Sequence, residues 1–201
     1  SRHYLSPGNA LAAQFIYEEF EQYGYQPVFQ SFNGTRGANV IATKTGFLYP
    51  NKEYIICGHY DNMPSGPLAP GADDNASGTT AVISLARYFK SLPQPERTIL
   101  FLAFTAEENG GYGSRYFSEQ LDPASIVAMI NMEMLGTPSK YGPHTAFMTG
   151  FERSDLGKII QESLKNHKFS IHPDPYSDQN LFYRSDNATL ARLGVPAHTI
   201  S

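Results

Sequence analysis

The chain has 201 residues, of which 41% are hydrophobic and 17% charged, with a formal net charge of −4. This is the composition of a folded globular protein with one substantial core, and it excludes a disordered chain. No cluster of lysines and arginines could neutralise a row of phosphates, which argues against a nucleic-acid partner, and the longest strongly apolar run, Ile99 to Phe104, is too short for a membrane anchor.

The opening, Ser1-Arg2-His3-Tyr4, contains no cleavable apolar segment and reads as a processed or engineered start. Ser6-Pro7-Gly8-Asn9 marks a helix entry, and Leu11, Phe15, Ile16 and Phe20 then recur at helical spacing up to Gly24. Val28 to Phe32, Asn39 to Ala42 and Glu53 to Cys57 read as three strands parted by glycine- and proline-containing turns. Cys57, the single cysteine, is expected to be a buried packing residue. Glycosylation sequons at Asn33-Gly34-Thr35, Asn75-Ala76-Ser77 and Asn187-Ala188-Thr189 are short enough to arise by chance and carry no weight.

Further along, Thr79 to Phe89 has Ala81, Val82, Leu85, Ala86 and Phe89 on a helical period, followed by Pro93 and Pro95. Thr98 to Thr105 is a fully apolar strand, Tyr112 to Gln120 a helix, and Ile126 to Met134 a strand of the buried parallel type. Short strands at Ala146 to Thr149 and Phe169 to His172 flank a helix over Ser154 to Asn166. A polar loop, Pro173 to Asn180, leads to a helix over Ala188 to Leu193 and a last strand from Val195. Strands alternating with helices imply an α/β fold with helices on both faces. Nothing marks an internal boundary, so residues 1–201 are expected to form a single domain.

The chemistry gathers at strand ends, where ligands bind in open α/β sheets. His59-Tyr60-Asp61 follows one apolar run, Glu107-Glu108 a second and Glu133 a third, and Pro70-Gly71-Ala72-Asp73-Asp74-Asn75-Ala76-Ser77-Gly78 sets two carboxylates between a strand and a helix. A histidine and several carboxylates are the ligand types of a hydrolytic metal centre, zinc above all. Each feature also has a plain explanation. Asp73-Asp74 could be a turn and helix cap, and Glu107-Glu108 solvated carboxylates at a helix start. Glu133 fits that view worst, because an unpaired carboxylate in a buried strand is expensive.

On these residues the chain resembles the zinc-dependent aminopeptidases typified by secreted bacterial leucyl aminopeptidases, relatives of glutamate carboxypeptidases and glutaminyl cyclases. The likeness rests on Gly58-His59-Tyr60-Asp61, Ala69 through Gly78, Ala103 through Gly110, Ile130-Asn131-Met132-Glu133-Met134-Leu135-Gly136, and Ser185-Asp186-Asn187 ahead of Gly194-Val195-Pro196-Ala197. It implies a three-layer sandwich around a central, mostly parallel mixed sheet. By the same resemblance His59 is a ligand of one zinc, Asp74 bridges two, Glu133 completes the first site, Glu108 binds the second, Glu107 is the general base and Asp61 orients His59.

The resemblance has departures. Glu133 stands where these peptidases usually have Asp, and Asn187 where many have His. The family's final zinc-binding histidine belongs past the strand that opens at Val195, and His198 lies within that strand, where it is expected to pack. His3, His144, His167 and His172 read as surface residues, and Tyr183 and Arg184 as candidate cleft walls. The domain is therefore expected to lack its C-terminal end, leaving one nearly complete and one deficient zinc site, an unpaired sheet edge and weak or absent activity.

The implied function is that of a zinc metallo-exopeptidase, an aminopeptidase acting on peptides with a free N-terminus. The alternatives are a glutaminyl cyclase on the same scaffold and a non-catalytic binding module of the transferrin-receptor kind. Retention of both Glu107 and Glu108 argues against the module. A monomer exported to the periplasm or the medium is expected.

Overall fold

The apolar runs assemble into one eight-stranded sheet in the computed structural model, which describes residues 1–32, 37–64 and 70–201. The sequon at Asn33 and the motif residue Ala69 lie outside the described residues. The strands are β1 (Val28–Ser31), β2 (Ala38–Lys44), β3 (Tyr49–His59), β4 (Arg97–Phe104), β5 (Ile126–Met132), β6 (Thr145–Met148), β7 (Ser170–Pro173) and β8 (Ala197–Ile200). They lie in the order β1-β2-β4-β3-β5-β8-β6-β7. Pairings of β3 with β4 and β5, of β5 with β8 and of β6 with β7 are parallel, and the other three are antiparallel.

The helices are α1 (Pro7–Gln22), α2 (Gly78–Ser91), α3 (Tyr112–Glu119), α4 (Leu156–Ser163) and α5 (Asn187–Ala191). Ser6 caps α1, its hydroxyl accepting from the Asn9 N–H, with Pro7 in the first turn where its missing donor costs nothing. Phe20 of α1 and Val82 and Ala86 of α2 cover the sheet face that carries Val40, Ile56, Ile99 and Phe101. The opposite face, with Ile55, Leu100, Leu102, Phe104 and Met129, is closed by Phe117 of α3 and Leu190 of α5. Leu102 and Phe104 are wholly buried, which stabilises the fold by about 1.5–3 kcal/mol for each such side chain.

A third cluster joins Leu156 and Ile160 of α4 to Met148, Ile171 and Ile200. Because Ile200 pairs with Met132, which packs on the α1 and α2 side, α4 belongs to that layer. The result is the expected three-layer α/β sandwich. Beyond α2, a groove of about 350 Å³ lined in part by Tyr54, Ile56, Phe89 and Ile130 stays open on this face. Among the described residues no helix is long and apolar enough to cross a membrane.

Two expectations need correction. β8 does not leave an unpaired edge: it runs parallel to β5 on one side, while on the other the Phe147 N–H donates to Ser201 O at 2.8 Å and the Ser201 N–H to Phe147 O at 3.0 Å. The edges are β1 and β7. β5 stops at Met132, because Met134 takes a left-handed backbone (φ 53°) that turns the chain out of the sheet. Glu133 is thereby the first residue past the strand.

Candidate metal centre

β4, β3 and β5 are neighbours, so their carboxyl ends deliver Glu107-Glu108, His59 and Glu133 to one place. The fourth element is the irregular turn Ala72–Ser77, which runs into α2. Gly78 permits this approach. A Cβ there would stand 2.1 Å from Met132 O and 2.3 Å from Asn75 Oδ1, so only glycine lets the start of α2 lie against the end of β5.

The His59 imidazole is fully buried, and its Nδ1 faces the Asp61 carbonyl at 3.3 Å and the Asp61 carboxylate at 3.5 Å. Both neighbours are acceptors, so Nδ1 carries a proton and Nε2 is turned toward the cavity. Around Nε2 lie Asp74 Oδ1 at 3.3 Å and Glu107 Oε2 and Glu133 Oε1, each at 3.9 Å. Neither His59 Nε2 nor Asp74 Oδ1 has a hydrogen-bond partner among the described residues, although both atoms are buried. Two orphaned ligand-type atoms aimed at each other, ringed by carboxylates, fit a divalent cation, which would satisfy both and offset the repulsion between the acids.

Among the described residues, ligand atoms of His59, Glu107 and Glu133 all lie within 4.8 Å of one another. Asp74, expected in that set, supplies the atom nearest Nε2, and Glu107, expected to stand free as a base, is close enough to touch the same ion. Glu108 accepts from the Met63 N–H at 3.2 Å and lines the same cavity as Asp74. That cavity, about 190 Å³, is walled also by Met134, Phe147, Leu181, Arg184 and Ser185.

Charge crowding shapes the titration of the cluster. Burial, and next the charge of Asp186, pushes the Glu107 carboxyl well above its usual range, against the pull of His59. Burial raises Glu108 as well, with Asp74 adding to it. Burial works against a charged His59, but Asp61, Asp74 and Glu133 outweigh it and hold its pKa well above the ordinary histidine value. The facing imidazole in turn holds Asp74 below the carboxylate range.

Several supporting residues are not announced by ligand spacing. Asp61 accepts the backbone N–H groups of both Glu107 and Glu108 at 3.2 Å. The Asp73 carboxylate takes the Gly136 N–H at 2.7 Å and the Thr137 hydroxyl, tying the acidic turn to the segment after Glu133. Asn75 donates to Met132 O and accepts from Gly78 N and Met134 N. Ser185 donates to Glu133, and Asn131 to Glu133, Ser185 and Thr199. The available signal for Asn131 was a polar side chain inside an apolar strand.

The remaining candidates divide. Arg184 lines the cavity, whereas Tyr183 stands apart from it, its hydroxyl accepting from Arg153 at 3.1 Å. His198 is buried, its two nitrogens engaged by Ser154 Oγ and Thr149 O. Asn187 is also buried and spans Phe182 O, Ala197 O and the Thr199 hydroxyl, which makes it a brace for its loop.

Comparison with known proteins bears on the family and the fold. Residues 39–201 match the sequence profile described as Peptidase family M28. A probable zinc metalloprotease of Pyrenophora teres f. teres is 39% identical over 107 residues, 50% of this chain and 22% of that protein. Aminopeptidase YwaD of Bacillus subtilis is 34% identical over 113 residues, 54% of this chain and 24% of its own length. The match thus takes in about a quarter of each of these relatives. The crystal structure of the Legionella pneumophila LapA aminopeptidase superposes with a TM-score of 0.79 at 19% identity, covering 99% of this chain and 56% of that one. At that identity the likeness concerns the fold.

Proposed function

Because the chain belongs to peptidase family M28, we propose that it is the catalytic part of a zinc metallo-exopeptidase that removes the N-terminal residue of peptides. The observation that carries this reading is the pair of orphaned buried atoms, His59 Nε2 and Asp74 Oδ1, facing each other at 3.3 Å inside a ring of carboxylates. His59, Asp74 and Glu133 would hold one zinc. Bound there, zinc would lower the pKa of a water and polarise a scissile carbonyl.

The protein's own groups supply the rest. Asp61 keeps the proton on His59 Nδ1 and, through the N–H groups of Glu107 and Glu108, fixes both carboxylates relative to the ring. Glu107 has a raised pKa in the metal-free site, and a dication beside it would bring that pKa down. It would then be ionised, able to take a proton from water and pass it to the leaving amine. Asp74 and Glu108 are the groups present for a second zinc, and two carboxylates without an imidazole make a weaker site than the mixed set. A further ligand would complete that second site.

Zinc titration by calorimetry with an aminoacyl chromogenic substrate tests the reading. Tight zinc binding, lost in His59→Ala, with zinc-dependent chromophore release that Glu107→Gln abolishes, is expected. Tight zinc without any zinc-dependent release would overturn the peptidase reading, and absence of tight zinc would overturn the metal site. A glutaminyl peptide should be trimmed, and its cyclisation would instead favour the cyclase.

A further inference from the structure

Arg2 lies far from the metal-site residues in the chain but against them in space. Its Nε donates to Tyr60 O at 2.8 Å, Nη1 to Pro70 O at 2.6 Å and Nη2 to Gly71 O at 2.8 Å, while its backbone N–H reaches Asn62 Oδ1 at 2.6 Å. Tyr60 sits between His59 and Asp61, and Pro70-Gly71 lead into Asp73-Asp74. Each guanidinium nitrogen therefore serves one carbonyl, and all three carbonyls belong to the two segments whose separation sets the distance between His59 and Asp74.

The packing is close. Gly71 has a left-handed φ of 59°, and a Cβ there would meet Asp74 O at 2.4 Å, Asn62 Cβ at 2.6 Å and Arg2 Nη2 at 3.1 Å. The same arm reaches the third segment of the site. Asn9 Nδ2 donates to Arg2 O and to Thr105 Oγ1, both at 3.0 Å, two residues ahead of Glu107. Arg2 makes no ion pair within 4 Å among the described residues. Its donors are committed to backbone.

We propose that Arg2 is a positioning residue for the metal centre: its guanidinium clamps the turn that carries Asp74 onto the end of β3 and so sets the spacing of the His59 and Asp74 ligand atoms. This inference rests on the zinc reading above. Three directed N–H donors in a rigid plane suit the task, and a lysine ammonium, a point charge on a flexible stem, does not. Without the clamp the turn gains freedom that metal binding would have to remove, and lost support of this kind costs roughly 10- to 100-fold in metal affinity.

The test measures zinc affinity of the full chain by chelator competition, together with the visible absorption of the cobalt-substituted protein, which reports ligand geometry independently of activity. Arg2→Ala is expected to bind zinc about 10- to 100-fold more weakly with an altered cobalt spectrum, Arg2→Lys to recover only part of the affinity, and added guanidinium ion to restore Arg2→Ala toward the parent. Ser6→Ala, which weakens the start of α1 without touching the ligand segments, should bind zinc as the parent does. Unchanged affinity and an unchanged cobalt spectrum in Arg2→Ala would overturn the inference, as would an equal loss in Ser6→Ala, which would mark a general loosening of the arm. Should Arg2→Ala fail to fold, Arg2→Lys decides: full affinity there refutes the clamp. Failure of the parent chain to bind zinc would overturn the zinc reading itself.

Discussion

One oxygen of Asp61 accepts the Glu107 N–H at 3.2 Å, so the residue behind the histidine also holds the residue proposed as the base. The other oxygen takes the Glu108 N–H at the same distance. Asp61→Asn keeps the shape but can accept at only one of these positions, turning its amide N–H₂ against the other donor. A buried donor left unpaired costs about 1–3 kcal/mol. Zinc affinity should fall by about 10- to 100-fold, as read by chelator competition; affinity equal to the parent would show that the two N–H bonds do not matter.

Glu107→Gln should retain zinc while losing about 10²- to 10⁴-fold in turnover. It should also make the metal-free protein more stable at alkaline pH, because the acid whose charge is most resisted by burial and by Asp186 is gone. Urea denaturation in the presence of a chelator reads the second effect. Lower stability in the variant would mean that the Glu107 carboxylate is well accommodated without metal.

The metal-free chain should lose stability between about pH 5 and about pH 8. Glu107, Glu108 and Asp186 all have pKa values raised in the fold, chiefly by burial. Above the ordinary carboxylate range the unfolded chain has released protons that the folded one still holds, so stability declines as pH rises. His59, raised too, adds stability below its unfolded pKa and loses it as pH climbs through the folded value. Asp74, lowered, acts the other way and only at more acid pH. With zinc the trend should reverse, since metal and protons compete for the same atoms. Thermal melts across that range with and without chelator check both slopes.

Gly78→Ala should destabilise the fold by about 2–3 kcal/mol, because the added carbon would lie 2.1 Å from Met132 O and must push α2 off the end of β5. The same shift moves Asn75 and the turn that carries Asp74, so zinc affinity should drop as well. A variant with an unchanged melting temperature would show that the contact relaxes freely.

What the sequence disclosed follows from which residues bear a repeating physical signal. Apolar runs such as Ile99 to Phe104 and the helical spacing of Val82 and Ala86 mark buried faces, and those elements stand where periodicity puts them. His59, Glu107 and Glu133 were legible because charges at the ends of apolar runs converge in this fold class. Arg2, Asp73 and Asn9 were not, since their partners are backbone groups brought near only by the finished fold, and no spacing encodes them. The place of β8 in the sheet was hidden for the same reason: strand order is decided by crossovers, and the last strand in sequence is an inner strand in space.

Among the described residues β6 and β7 join the rest of the sheet only through β8, so four residues, Ala197–Ile200, form the seam between two parts of the sheet. During synthesis the β6, α4 and β7 segment leaves the ribosome before the strand that must receive it. Phe147 and Thr149, two walls of the cavity, belong to the part that β8 joins to the rest of the sheet. The ligand segments on β3, β4 and β5 can assemble earlier, but the cavity closes only when β8 zips between β5 and β6. Pairing β8 with β5 and β6 joins segments far apart in sequence, so the walls of the cavity should form more slowly than a local hairpin would.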